Sequence, residues 1–165
     1  MPAESMRQRI IAALKARAEA ITIENGFHTD AGLKVTHGYR RPGAGETDAR
    51  IAMLSNGPLP PVPSEEQDDV IVRRQWSIGF IAMAPVSAEV DDALDVAEQL
   101  LADLKRALFL EDRTLGGLLR ANEEVGNIEI GAEQTADREP GGTWVEAAVE
   151  VLVTFTERRG QPESR

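Results

Sequence analysis

The stretch Val70-Ile71-Val72-Arg73-Arg74-Gln75-Trp76-Ser77-Ile78-Gly79-Phe80-Ile81-Ala82-Met83-Ala84-Pro85 decides the fold. Trp76, Ile78, Phe80, Ala82 and Ala84 fall on one side of an extended chain, and Gln75, Ser77, Gly79, Ile81 and Met83 on the other, the period of two that marks a β-strand. Pro85 ends the run because it has no amide to donate. The same grammar returns at Trp144 to Thr156. There Val145, Ala147, Val149, Val151, Val153 and Phe155 share one face, while Glu146, Ala148, Glu150, Leu152 and Thr154 take the other. Two long strands with a wholly apolar side need a cover.

Two segments supply it. Ser5 and Gln8 have capping-box spacing, and Met6, Ile10, Ala13, Leu14 and Ile21 recur at helical intervals until Asn25-Gly26. Between the long strands, Val90, Leu94, Ala97, Leu101, Leu104 and Leu108 form a second helical stripe. Ser87 is placed to cap it, with Asp91 and Asp92 at the positive end of the dipole and Lys105 and Arg106 at the negative end. Leu33, Val35, His37 and Tyr39 alternate with polar residues as a further strand, Arg50 to Ser55 reads as a short one, and Asn127 to Glu133 pairs with the last strand as a hairpin. The expected fold is α+β: a mostly antiparallel sheet of four to five strands with two amphipathic helices packed on one face.

A length of 165 residues fits one domain, 1–165, with a polar C-terminal tail over 157–165. There is no cysteine, which excludes disulfide frameworks, thiolate zinc sites and cysteine nucleophiles. The N-terminus carries charge rather than an apolar leader, and no apolar run approaches a membrane span, so a soluble protein without a membrane partner is expected. The net charge of -10 disfavours nucleic-acid binding. It is unevenly spread: residues 1–41 hold seven bases and four acids, +3, and the remainder is -13. Such polarity suits head-to-tail contact between copies, and equally an uneven solvated surface.

Candidate chemistry is sparse. His28 and His37 lack metal-ligand spacing, Gly43-Ala44-Gly45 lacks the ending of a phosphate loop, and no serine stands in a nucleophile elbow. No catalytic, cofactor or metal residue is assigned, and no cofactor is expected. Four prolines fall within residues 58–63, and Glu65, Glu66, Asp68 and Asp69 follow. The segment 56–69, with Pro60 and Pro61 at its centre, is expected to be an exposed, mobile contact loop that orders against a partner. Fifteen of the 18 bases are arginine. The pairs Arg40-Arg41 and Arg73-Arg74 at strand ends suit subunit contacts, since the guanidinium fork binds carboxylates even when partly buried; genomic base composition would give the same bias. Ile81, Met83, Ala148 and Leu152 look out from the second sheet face among Ser, Glu and Thr, as a self-assembling subunit would present.

The run Ile21-Thr22-Ile23-Glu24-Asn25-Gly26-Phe27-His28-Thr29-Asp30-Ala31-Gly32 after an opening helix resembles the start of the tail terminator proteins of long-tailed phages and prophages, also called minor tail or tail completion proteins. Met83-Ala84-Pro85, Asp103-Leu104-Lys105-Arg106-Ala107-Leu108-Phe109, Leu115-Gly116-Gly117-Leu118 and the closing hairpin resemble the same group. The resemblance implies an α+β virion protein of the tail, with no catalytic residues. It implies a ring, commonly of six subunits, that caps the head-proximal end of the tail tube. Its partners would be itself, the major tail tube protein and a head-neck connector. A connector or neck subunit is the nearest alternative, and a small metal-dependent enzyme using the acidic run a remote one.

Overall fold

Ser5 opens α1 (Met6–Glu19): its Oγ accepts from the Gln8 amide at 3.2 Å, and Gln8 Oε1 accepts from the Ser5 amide at 2.8 Å. In the computed structural model, which describes residues 4–57, 71–110, 112–121 and 124–158, this helix buries Met6, Ile10, Leu14 and Ala18. It stops at Glu19 rather than at Asn25-Gly26, and residues 21–26 form turns instead. Gly32 closes over the helix end, its amide donating to the Ile21 carbonyl at 2.8 Å. A Cβ there would lie 2.5 Å from the Ala18 carbonyl oxygen and 2.6 Å from that of Ile21, so only glycine lets the chain fold back across the helix end.

The remaining elements among the described residues are a short 3-10 helix (Ala31–Leu33), β1 (Val35–His37), β2 (Arg50–Leu54), β3 (Ile71–Pro85), α2 (Ala93–Phe109), β4 (Arg120–Ala121), β5 (Glu124–Val125), β6 (Asn127–Ala136) and β7 (Trp144–Arg158). Five of these strands form one sheet in the order β1-β2-β3-β7-β6, and β4 and β5 make a separate ribbon. All pairings in the large sheet are antiparallel except β1 with β2. Along β3 and β7 the register runs unbroken from Ile71↔Arg158 to Pro85↔Trp144, so Glu157 and Arg158 extend the strand rather than begin a tail. Residues 159–165 lie outside the described residues.

Both helices join the same side of the sheet in one hydrophobic cluster, with Trp76, Ile78, Phe80, Val149, Val151, Val153 and Phe155 at its centre. Two expectations need correction. The strand expected from Leu33 to Tyr39 is only three residues long, and Leu33, in a 3-10 turn before it, and Tyr39, beyond its end, are exposed. The stripe of the second helix begins at Ala93, with Val90 and Leu94 outside; Ser87 closes a turn with the Glu89 amide, and Asp92 is the N-cap residue.

Asp103 ties the two layers of helix and loop together. It is buried on α2, and its carboxylate accepts from the His28 amide at 3.0 Å, the Thr29 amide at 2.9 Å and Thr29 Oγ1 at 2.8 Å. One turn on, Arg106 donates to the Gly26 carbonyl at 2.7 Å and lies 4.6 Å over the Phe27 ring. The stretches 21–32 and 103–109 are thus bonded to each other, three charge-assisted hydrogen bonds satisfying an otherwise costly buried carboxylate.

Candidate functional site

The sheet has one face under the helices and one without them. On β3 the second face carries Arg73, Gln75, Ser77, Gly79, Ile81 and Met83; on β7 it carries Glu146, Ala148, Glu150, Leu152 and Thr154. Arg73 is exposed, and Ile81, Ala148 and Leu152 are half-buried. Ile81 pairs directly with Ala148, and Leu152 stands opposite Ser77, with the Gly79–Glu150 pair between them on the same face.

Met83 departs from the expected outward exposure: it is on this face but only 1% exposed. The reason is a bridge across β3. Arg50 is the β2 partner of Met83, Trp144 lies on β7, and the Arg50 guanidinium carbon is 5.4 Å from the Trp144 ring centroid. Side chains from the two flanking strands therefore meet above the strand between them, a cation-aromatic contact strengthened by its burial. Glu46 anchors the bridge. Its carboxylate accepts from the Gly43 amide at 2.7 Å and from Arg50 Nη1 at 2.9 Å, with Arg40 Nη2 at 3.4 Å. The Gly43 amide, with the Arg50 and Arg40 charges adding to it, holds the Glu46 carboxyl below its ordinary value. Gly43 is thereby tied to Glu46 across a turn, the Glu46 amide also donating to the Gly43 carbonyl at 3.2 Å.

A second carboxylate organises the open part of the face. Glu150 accepts from the Ala132 amide at 3.0 Å and from Ser77 Oγ at 2.6 Å, and these bonds lower its pKa. Ala132 lies in the irregularity of β6 between Ile130 and Glu133, a bulge that turns an amide toward the face. Gly131 leaves room for this carboxylate: a Cβ there would stand 2.3 Å from Glu150 Oε2 and push it aside. Ile130, the last residue in register before the bulge, is 41% exposed.

The four candidate arginines do not share a surface. Arg74 lies on the helix side of the sheet end, paired with Glu157 at 3.3 Å, while Arg73 is on the open face. Arg40 and Arg41 fall in the segment between β1 and β2, not at a strand end, with Arg41 3.9 Å from Glu139. Pro60, Pro61, Glu65, Glu66, Asp68 and Asp69 lie outside the described residues. Sequence reading missed Arg50, Glu46 and Trp144 as a unit. The spacing of Glu46 and Arg50 by four was the available signal, but nothing local ties either to residue 144. Among the described residues no three His, Asp or Glu side chains cluster as a metal site, and no helix is long and apolar enough to cross a membrane.

No protein-family model and no curated protein matches this sequence. Among solved structures, the chain is similar to the PVC sheath/tube terminator of an extracellular contractile injection system in its extended state, at 12% identity and a TM-score of 0.37. The alignment takes in 100% of this chain and 62% of that one.

Proposed function

We propose that this chain is a structural subunit of the tail-terminator kind, which closes into a ring on the end of a tail tube, stops tube growth and presents a surface for head joining. The observation that carries the reading is the sheet face without helices, where Ile81, Ala148 and Leu152 remain half-exposed on the side that also carries Arg73. A strand pair whose one side is fully sealed and whose other side shows apolar residues among Ser, Glu and Thr has the make-up of a protein contact. The sequence resemblance supplies the kind of assembly: copies of itself, six by the family's habit, together with tube and neck subunits in the virion. On this reading the protein works by occupying a site, with no turnover and no cofactor.

Leu152→Glu tests the contact. A charge buried without a partner there should disfavour the oligomer by a few kcal/mol, about 3, while the subunit stays folded. Light scattering with circular dichroism reads both, and an unchanged oligomer mass removes this face from the interface. The role itself is read by electron microscopy of a lysate lacking the protein. Tails of irregular length and unjoined heads are expected; normal, head-joined tails would return the connector reading.

A further inference from the structure

Arg50 uses only part of its guanidinium. Nη1 donates to Glu46 at 2.9 Å, while Nε and Nη2 are buried and have no hydrogen-bond partner among the described residues. The whole residue is 8% exposed. Buried polar groups are nearly always bonded, and an unpaired N–H there has lost its hydration without compensation. Nε and Nη2 form one edge of the planar fork, and two parallel donors on one edge match the two oxygens of a carboxylate. Arg50 also lines a cleft of ≈ 490 Å³ together with Lys34, Thr36 and Arg40. Three cations face it against two acids, Glu19 and Glu46, and Glu19 is drawn toward Lys15 at 3.6 Å.

We propose that this cleft is a carboxylate-binding site, with the Nε–Nη2 edge of Arg50 as its fork and Arg40 and Lys34 supplying attraction at the mouth. Trp144, 5.4 Å from the guanidinium carbon, holds the plane of the fork from the side. Arg40, whose side chain is 73% exposed and whose 3.4 Å pair with Glu46 is of the weakly held surface kind, is the lining cation free to turn toward an entering carboxylate. The carboxylate comes either from a small free acid or from an Asp or Glu side chain of a second copy, of which this chain of 28 acids has many.

Acetate, titrated at constant ionic strength against chloride, separates these sources. The readout is the Arg50 Nε–H resonance in nitrogen-resolved NMR, assigned by its loss in Arg50→Lys. A saturable shift with acetate and none with chloride is expected. If a second copy is the source, the same shift appears on raising protein concentration without acetate, and acetate then competes with it. If the source is a free acid, the resonance is indifferent to protein concentration. Arg50→Lys keeps the charge but loses the fork, and should weaken acetate binding by about tenfold, read from the Lys34 and Thr36 amides. Should that variant not fold, the wild-type titration against chloride decides. A resonance that moves with neither acetate nor protein concentration, or moves as much in chloride, overturns the proposal.

Discussion

The two faces of the β3–β7 pair share one backbone and one register yet differ in almost everything else. On the helix side, Trp76, Ile78 and Phe80 face Val153, Val151 and Val149 across the ladder, and none is more than 2% exposed. On the other side, Ile81, Ala148 and Leu152 have the same strand geometry and remain half-exposed. The difference lies in cover rather than in strand chemistry. Alternation determines which side a residue takes, and a second element determines whether that side is dry.

The strongest way to break the comparison is to cut side chains back to alanine on each face. Phe80→Ala, in the sealed core, should destabilise the subunit by about 4 kcal/mol in urea unfolding, the transfer loss plus an unfilled cavity. Met83→Ala lies on the other face but under the Arg50–Trp144 bridge, and about 3 kcal/mol is expected because Met83 is 1% exposed. Ile81→Ala, one pair away and half-buried, should cost the free subunit about 1 kcal/mol. A Met83→Ala loss as small as that for Ile81→Ala would mean that the bridge is not closed in solution.

Asp103 sharpens a different contrast, between the helix layer and the loops it holds. Asp103→Asn keeps the shape but weakens three bonds to residues 28 and 29, and about 2 kcal/mol should be lost. Hydrogen exchange should then rise first at His28 and Thr29. Unchanged protection at those two amides would sink the role given to Asp103.

Much of this contrast was legible in the sequence. The even-numbered residues from Trp76 to Ala84 and the odd-numbered ones from Val145 to Phe155 announce a sealed side, and the Ser5–Gln8 box announces α1. What was not legible depended on contacts between distant segments. Met83 has the same alternation phase as Ile81, but it lies where Arg50 and Trp144, 94 positions apart in the chain, meet, and it is dry. Leu33 and Tyr39 alternate as well as any core strand, but Leu33 falls in the turn before β1 and Tyr39 beyond its end, so neither enters the ladder. Asp103 sits amid the buried stripe of α2, where a carboxylate looks out of place until the amides of residues 28 and 29 are brought to it.

The smallest expected effect probes the open face itself through Glu150. The Ala132 amide and the Ser77 hydroxyl favour its charged form, so the folded protein holds its pKa below the ordinary glutamate value of 4.5. A depressed folded value means that the contribution is complete above about 4.5, the unfolded value, and is lost as pH falls through the folded one. Because the face is half open to water, screening keeps the contribution below about 1 kcal/mol. Urea midpoints taken from neutral pH down through the carboxylate range should therefore fall slightly less steeply in Glu150→Gln than in wild type. Glu46, Asp48 and Asp112 also have lowered values and titrate in both proteins, so the difference between the curves isolates Glu150. Gly131→Ala supplies the structural control, since its methyl would occupy the space of the Glu150 carboxylate without removing the charge. It should flatten the acid limb in the same way, and a Gly131→Ala curve that keeps the wild-type slope would show that Glu150 draws its stabilisation from somewhere other than the β6 bulge.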